Sequence, residues 1–301
     1  MEAISAQIKE NRPYLSDSSI KSYTSLLSNF YRKMTQGEDD YENAKAFFKN
    51  SQKLVLEEIK TMPLMRRKNT ISAIVVLIGE KPERVVKRYR EYMAEDIEKY
   101  EKQVEEQEKT AKQKENWLTQ DEVNKVYQDI EEDVAHLLEK DAMSLTNRDR
   151  RNLVNYILMA ILTKLPPRRS MDYTEMKLRN FDTSEDNYYK NGKFYFNKYK
   201  TAKTYGLQTV KLPNDLKKLI EKWSDAHDND YMIFDSYGKK LTSPKLTAIL
   251  NNIFGRKIST TMLRHIFLSD MLKDAPKLTE MKEVAESMAH SLEHQQKYRK
   301  V

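Results

Sequence analysis

Apolar residues recur at helical spacing through the first ninety residues of this chain. The clearest stripe consists of Ile20, Tyr23, Leu26, Leu27, Phe30 and Tyr31, and it follows a serine-rich stretch at 16–19 that can cap a helix. Further helical runs are predicted at about 40–60, 64–79 and 81–93, and Gly79 to Pro82 separates the last two. No alternating strand pattern interrupts them. The pattern therefore predicts an all-helical N-terminal bundle over residues 1–92.

A charged segment follows this bundle. Residues 91–120 contain nine acidic and five basic side chains and few apolar ones. Ile97, Tyr100 and Val104 are too sparse to form the seam of a coiled coil. The composition predicts a solvated linker at 93–115, helical or extended, which separates two domains.

The remaining residues, 116–301, mix helical and strand patterns. A long helix is predicted at about 148–163, because the prolines at 166 and 167 cannot continue it. Two strands are predicted at 193–199 and 208–212, with a hairpin turn at 200–206. Helices are then expected at about 214–224, 243–254, 260–272 and 279–289. The fold class that follows is mainly α with a small β-sheet: a helical bundle plus a mixed α/β domain.

Composition excludes several classes of protein. With 301 residues the chain is long enough for two domains, and 39% hydrophobic with 33% charged residues is typical of a folded protein. Six glycines and no glycine-rich phosphate loop argue against a nucleotide-driven motor. There is no cysteine, and the five histidines lack metal-ligand spacing, so we expect neither a metal nor a cofactor. No signal peptide or membrane span is recognisable, which predicts an intracellular protein, in a prokaryotic cytoplasm or in a nucleus or viral factory.

The charge balance suggests a polyanionic partner. The net charge is +7 and the pI is about 9.1, and the acidic linker means that the rest of the chain is more basic still. A merely soluble basic protein would have the same balance, but double-stranded DNA is the partner that it suits. The candidate contacts to the DNA backbone are Arg66, Arg67 and Lys68 at the start of the third helical run, and Lys198 and Lys200 beside the hairpin turn.

Several residues in the second domain could bind and cleave a phosphodiester. Arg264 and Thr261 share one face of the helix at 260–272. Arg168 and Arg169 follow the proline break at the mouth of a new helix, where cations oppose the helix dipole unless an anion is present. Asp172 stands three residues beyond Arg169, within reach to orient its guanidinium. By itself this could equally be an ordinary Arg–Asp pair.

Three further residues complete the set of candidates. Lys203 lies in the exposed turn, which suits a general acid that reaches into a phosphate. His290 and Tyr298 follow near the end of the sequence. An arginine, a histidine and a tyrosine are the groups that a metal-free attack on a DNA phosphodiester requires, with the phenol as the nucleophile.

The order of these residues resembles that of the tyrosine recombinase, or phage integrase, family. Thr-Met-Leu-Arg264-His resembles the His-x-x-Arg box of that family, and Met-Ala-His290-Ser followed by Tyr298 resembles its Gly-His-Ser…Tyr box. Pro-Pro-Arg-Arg169-Ser-Met-Asp172 resembles the first arginine box, with its acidic residue three positions later. The resemblance spans the whole chain, and its specific part begins near residue 116.

The resemblance implies a site-specific DNA recombinase. Tyr298 would attack the scissile phosphate and form a 3′-phosphotyrosyl link, while Arg169 and Arg264 hold the non-bridging oxygens. Lys203 would act as general acid, and His290 would hydrogen-bond the phosphate. Neither ATP nor a metal would be needed, and a homotetramer would assemble on two DNA sites.

Two alternatives remain open from the residues alone. A type IB topoisomerase performs the same chemistry within one DNA, and a DNA-binding module with a decayed site would keep only the affinity. Arg168 could also replace Arg169 as the first arginine. Thr261 stands where the family usually has histidine, so its auxiliary role would be reduced to a hydrogen bond.

Overall fold

A computed structural model of the chain describes residues 1–37 and 39–288. Contacts divide the chain into two units, one made of residues 1–108 together with those from Pro276 onward, and the other of residues 109–275. Each unit has its own cluster of buried hydrophobic side chains. Within the described ranges, no helix is both long enough and apolar enough to cross a lipid bilayer.

The first unit is helical, as its apolar periodicity predicts. Its elements are α1 (Glu2–Asn11), α2 (Asp17–Met34), a 3-10 turn (Tyr41–Asn43), α3 (Ala44–Asn50), α4 (Gln52–Lys60), α5 (Leu64–Ile78) and α6 (Glu83–Glu105). The Ser16 hydroxyl caps α2 by accepting the Ser19 amide at 3.3 Å. The predicted stripe of α2 lies in the core, where Phe30 and Tyr31 pack against Phe48.

The structure corrects two predictions in this region. The run predicted at 40–60 is broken into a 3-10 turn and two helices. The predicted linker at 93–115 is helical over most of its length, one of the two forms expected for it, since α6 continues to Glu105 and α7 (Ala111–Asn116) follows soon after, but it is not solvated throughout. Asp96, inside the expected solvated stretch, is 2% exposed. Helix α6 is therefore rich in acidic residues and yet has one face that packs on α5.

The second unit contains most of the remaining elements. They are α8 (Gln120–Val134), α9 (Asn147–Lys164), α10 (Ser170–Thr174), β1 (Met176–Lys177), β2 (Asn187–Lys190), β3 (Lys193–Phe196), α11 (Ala202–Tyr205), β4 (Gln208–Lys211), α12 (Asn214–Asp225), α13 (Ser243–Phe254) and α14 (Thr260–Met271), with 3-10 turns at Ala135–Glu139 and Ala142–Ser144. Helix α9 runs through the core, and its residues Leu153 to Leu162 are nearly all buried. The mainly α class with a small mixed sheet is confirmed.

The four strands form one sheet in the order β1-β2-β3-β4. Strands β1 and β2 pair in parallel, and the other two pairs are antiparallel. Asn191 and Gly192 join β2 to β3 with positive φ at both residues, as a two-residue hairpin requires. The predicted strands at 193–199 and 208–212 are shorter in the structure, and the turn between them contains the helix α11 instead of a plain loop.

A last described helix, α15 (Leu278–Ser287), belongs to the first unit. The Lys282 ammonium pairs with Glu105, and the Leu278 amide donates to the Gln107 side chain. The boundaries 1–92 and 116–301 therefore differ from the division that the contacts show. The segment from Pro276 returns to the unit in which the chain began.

Candidate active site

The candidate site begins at the proline break after α9. Leu165 has extended backbone, and the two prolines after it lead the chain away from the helix axis. Arg168 and Arg169 come next, before the short helix α10 starts at Ser170. The Arg168 amide donates to the Tyr173 hydroxyl at 2.6 Å, which fixes the backbone at this corner. Burial raises the pKa of this Tyr173 hydroxyl above its usual value.

The Arg168 side chain is held on three sides. Its Nε donates to Asp172 Oδ2 at 2.7 Å, and its Nη1 donates to Gln208 Oε1 at 3.0 Å. Its guanidinium carbon lies 4.0 Å from the centroid of the Phe196 ring and 5.4 Å from that of Tyr199. These contacts combine a charge-assisted hydrogen bond with stacking on aromatic faces, so the orientation of the guanidinium is fixed.

Asp172 is the anionic centre of this arrangement. The residue is 2% exposed, and its Oδ1 has no hydrogen-bond partner among the described residues. Burial raises the pKa of the Asp172 carboxyl, although Arg168, Arg169 and Arg264 all act to lower it. The charge of this carboxylate therefore depends on the arginines around it.

Arg264 reaches the same place from a distant part of the sequence. Ser259 caps α14 by accepting the Met262 amide at 3.2 Å, and Leu263 and Ile266 of this helix are buried. The Ser170 and Thr260 hydroxyls lie 2.9 Å apart, which ties the start of α10 to the start of α14. This link sets Arg264 beside the corner that carries Arg168 and Arg169.

A cavity of about 470 Å³ joins these groups, and we call it the arginine pocket. Its lining includes Arg168, Arg169, Arg264, Asp172, Gln208 and Tyr205. Across the residues that the structure describes, the side chains of Arg169 and Arg264 have no hydrogen-bond or ion-pair partner. Three guanidinium groups around one carboxylate leave an excess of positive charge, which favours an anion in the pocket.

The predicted role of Asp172 needs a correction. We expected it to orient Arg169, three residues earlier, but it binds Arg168, four residues earlier. Arg169 occupies the position immediately before the first residue of α10. Both arginines line the arginine pocket, so the structure brings each of the two alternatives to Arg264.

The lysine candidates are placed less favourably. Lys203 lies on α11 and is exposed, and it does not line the arginine pocket, although its neighbours Thr201 and Tyr205 do. Lys200 is also exposed. Lys198 is engaged elsewhere, because its ammonium lies 3.0 Å from Asp186.

Asp186 binds its cations firmly. Burial acts to raise the pKa of Asp186, but hydrogen bonds from Lys177, the Asp182 amide and Lys198 outweigh it and hold that pKa well below its usual range. Lys198 is therefore a partner in an ion pair and not the free contact to DNA that the sequence suggested.

The other candidates are distributed as follows. Thr261 is exposed on the first turn of α14 and does not line the arginine pocket, whereas its neighbour Thr260 makes the link to Ser170. His290 and Tyr298 lie outside the described residues. The auxiliary role predicted for Thr261 thus has no support from its position.

The three basic residues at the start of α5 have different environments. Arg66 is exposed. Arg67 is mostly buried, and its Nε lies 3.3 Å from Oδ2 of the buried Asp96. The Lys68 ammonium lies 5.5 Å from the centroid of the Tyr100 ring. Arg67 is therefore the counter-ion of Asp96 on α6 and not the solvent-exposed cation that we expect of a DNA contact, while the DNA contact of Arg66 stays a prediction.

Sequence reasoning missed the residues that support Arg168. Phe196 belongs to β3, Gln208 belongs to β4, and Tyr199 lies in the segment between these strands. The sequence pattern predicts all three only as strand residues. One signal was present in the sequence: Asn191-Gly192 between Tyr-rich and Phe-rich runs indicates a hairpin, which would have placed β3 in the middle of a sheet.

A second cavity, of about 670 Å³, lies elsewhere in the same unit. It is lined by the first half of α9, by the segment from His227 to Leu241 and by α13. The His227 ring lies tilted against Trp223 and edge-on to Phe234, and its Nδ1 accepts the Asn229 amide at 3.0 Å. Burial, with Arg179 and Arg150 nearby, lowers the pKa of His227 to about 4. No arginine of the arginine pocket lines this cavity.

In the described ranges, no group of three or more histidine, aspartate or glutamate side chains has the arrangement of a metal site. Comparison of the chain with protein-family models, curated proteins and solved structures finds no match. The residues of the arginine pocket are therefore the basis on which a function can be argued.

Proposed function

We propose that this protein is a DNA strand-transfer enzyme that cleaves and rejoins DNA through a 3′-phosphotyrosyl intermediate, as a site-specific recombinase does. The observation that carries the proposal is the arginine pocket, in which Arg264 of α14 meets Arg168 and Arg169 beside the buried Asp172. A pocket in which the guanidinium groups of Arg169 and Arg264 have no partner among the described residues is complementary to a phosphate whose negative charge rises during the reaction.

The proposed reaction is a transesterification. The Tyr298 phenol gives its proton to solvent water and forms a bond to phosphorus, and the bond from phosphorus to the 5′-oxygen breaks. The leaving oxygen takes up a proton from a lysine, for which Lys203 and Lys200 are the exposed candidates on or beside α11. Rejoining reverses these steps, so the phosphotyrosine conserves the energy of the original bond and no nucleotide is consumed.

The arginines have separate parts in this proposal. Arg264 and either Arg168 or Arg169 bind the non-bridging oxygens of the scissile phosphate. The other of these two arginines neutralises negative charge beside that phosphate. Arg168 is the better-fixed group, since Asp172, Gln208 and Phe196 hold it. A preorganised donor stabilises the transition state more than a mobile one, because it does not have to be ordered during the reaction.

The test uses a DNA duplex with a nick beside the candidate cleavage site. The protein is incubated with this duplex in the presence of EDTA, and the products are separated on a denaturing gel, with wild type beside Tyr298→Phe. We expect a covalent adduct with wild type only, while both proteins bind the duplex. An adduct that persists in Tyr298→Phe would overturn the assignment of the nucleophile.

Two further outcomes distinguish the alternatives. Relaxation of supercoiled plasmid by a monomer would favour a type IB topoisomerase, whereas paired duplexes held by four subunits would favour a recombinase. Tight binding without any adduct over a panel of duplexes would favour a DNA-binding module and overturn the proposed chemistry.

A further inference from the structure

One hydrogen bond connects the wall of the arginine pocket to the segment that carries the lysines. Gln208 is the first residue of β4, and its Oε1 accepts Arg168 Nη1 at 3.0 Å. It pairs across the sheet with Phe196, the residue on which the Arg168 guanidinium stacks. The segment at 200–206, with Lys200, Lys203 and α11, lies directly before it along the chain.

The hydrogen bonds of Arg168 leave one end of its guanidinium free. Asp172 takes the Nε proton and Gln208 takes a proton of Nη1. Nη2 has no partner within the described part of the chain. An incoming phosphate oxygen would therefore meet Nη2, in an orientation that the other two contacts determine.

The chemistry of the glutamine matters. An amide oxygen accepts a hydrogen bond from a guanidinium without adding a negative charge. Since Asp172 already provides one carboxylate, a second one at position 208 would neutralise the charge that attracts a phosphate. A neutral acceptor thus orients Arg168 and keeps its positive charge available.

We propose that Gln208 is a positioning residue that couples phosphate binding to the order of the segment at 200–206. The coupling is reciprocal: a phosphate that fixes Arg168 strengthens its bond to Gln208 and so orders the lysine segment, and an ordered segment preorganises Arg168. The catalytic meaning of this coupling rests on the proposed function, but the coupling itself concerns phosphate binding alone.

A second contact ties down the same segment and provides a matched comparison. The Tyr199 hydroxyl donates to the Gly206 carbonyl at 2.6 Å. Tyr199→Phe removes this bond and leaves the bond between Gln208 and Arg168 in place. It therefore loosens the segment without turning Arg168, whereas Gln208→Ala does both.

The experiment measures the binding of inorganic phosphate by calorimetry and the hydrogen exchange of the amides at 200–206 with and without phosphate. In wild type we expect phosphate to slow exchange in this segment. In Gln208→Ala we expect phosphate affinity to fall by about tenfold, the loss that corresponds to one hydrogen bond to a charged group, and the slowing of exchange to disappear. Thr209→Ala, an exposed neighbour on β4, is the control and should behave as wild type.

Two variants separate positioning from a general loss of structure. In the absence of phosphate, the segment should exchange as slowly in Gln208→Glu as in wild type, because the carboxylate binds Arg168 more tightly than the amide does. The same variant should nevertheless bind phosphate more weakly than wild type. Tyr199→Phe should speed up exchange of the segment and, through the same coupling, weaken phosphate binding, but by less than Gln208→Ala does, because Arg168 keeps its bond to Gln208.

The results that overturn the proposal are distinct from those that overturn the proposed function. Gln208→Ala with the phosphate affinity and exchange of wild type would refute the coupling, as would a wild type in which phosphate leaves exchange unchanged. A wild type that shows the coupling but forms no covalent adduct with nicked DNA would refute the proposed chemistry alone.

Discussion

Arg264 and Arg168 are presented to one pocket by different means. Arg264 projects from a regular helix whose buried face fixes its direction, and the capping hydroxyl of Ser259 determines where that helix begins. Arg168 lies outside any helix, and its direction comes from Asp172, Gln208 and the ring of Phe196. The first arrangement depends on packing and the second on side-chain contacts, so substitutions should affect them differently.

Replacement of Arg264 tests the electrostatic part of the proposal. Arg264→Ala should slow the formation of the DNA adduct by about 10²–10³-fold, on the scale of a lost oxyanion donor. Arg264→Lys should recover only part of this rate, because an ammonium keeps the charge but lacks the planar fork. The measurement is a single-turnover cleavage assay on nicked duplex.

Lys257→Ala provides the control for this experiment. Lys257 is exposed in the segment before α14, and its replacement removes one positive charge outside the arginine pocket. If Arg264→Ala and Lys257→Ala slow cleavage equally, then net charge and not the pocket determines the rate.

At the scale of single residues, the sequence predicted which residues lie together in the arginine pocket better than it predicted their hydrogen-bond partners. Arg168, Arg169, Asp172 and Arg264 were all named as candidates. The pairing of Asp172 was wrong because α10 begins only at Ser170, so the arginines before it do not follow helical spacing. The direction of a side chain outside a regular element depends on tertiary neighbours such as Gln208, which local patterns do not reveal.

The elements themselves were predicted best where a local signal ends them. Helix α9 runs from Asn147 to Lys164, close to the predicted 148–163, since a capping threonine precedes it and two prolines follow it. No strand is predicted at β2 from the sequence, although Asn191-Gly192 after it is typical of a two-residue hairpin turn. Helix α6 continues beyond the predicted end at 93, and Asp96 is buried although the acidic composition indicated a solvated segment.

The hairpin between β2 and β3 gives an element-scale prediction. Gly192 has φ of +74°, and a Cβ there would come within 3.0 Å of Lys217 Cδ. Gly192→Ala should lower the free energy of unfolding by about 1 kcal/mol or more, because an L-residue is strained at this φ. Asn191→Gly, in the same turn, should be neutral or slightly stabilising. Urea denaturation of both variants provides the measurement, and equal losses would contradict this account.

The start of α5 gives a second prediction at this scale. Arg67→Ala leaves Asp96 buried without its counter-ion and should destabilise the protein by about 3 kcal/mol. Arg66→Ala removes an exposed side chain and should change stability by less than about 0.5 kcal/mol. Under the proposed function, Arg66→Ala should instead weaken binding to duplex DNA and lower the salt dependence of that binding.

Thermal unfolding and DNA binding at several salt concentrations distinguish these two neighbours. Should Arg67→Ala retain full stability and lose DNA affinity, then Arg67 contacts DNA after all. Should Arg66→Ala bind DNA as wild type does, the start of α5 takes no part in the interaction.

For the molecule as a whole, the buried His227 predicts a dependence of stability on pH. Its folded pKa of about 4 lies below the ordinary value of 6.5, so the unfolded chain binds a proton more readily. The contribution of this group is complete above pH 6.5 and is lost as the pH falls from about 6.5 to about 4. The total loss is on the order of 3 kcal/mol.

His227→Asn isolates this effect. The asparagine Oδ1 can accept the Asn229 amide as Nδ1 does, but the side chain does not titrate. The free energy of unfolding, measured by urea denaturation at several pH values, should decline less steeply below pH 6.5 in the variant than in wild type. Parallel pH profiles would show that other groups cause the decline.

The sequence could indicate two cores but not which segments each core contains. Composition placed a boundary in the acidic stretch, and nothing in the apolar pattern after residue 276 shows that this part packs against α6. Contacts between segments so far apart along the chain depend on tertiary structure, here on Lys282 with Glu105 and on the buried Ala285.

This returning segment has a consequence for biosynthesis. The ribosome synthesises α6 before the second unit and α15 after it. The second unit spans residues 109–275, some 170 residues. The face of α6 near Glu105 therefore has no contact with α15 while these residues are synthesised. The first unit can begin to form its own core during translation, since α1 to α5 are already present. It gains α15 only after the whole second unit has been synthesised.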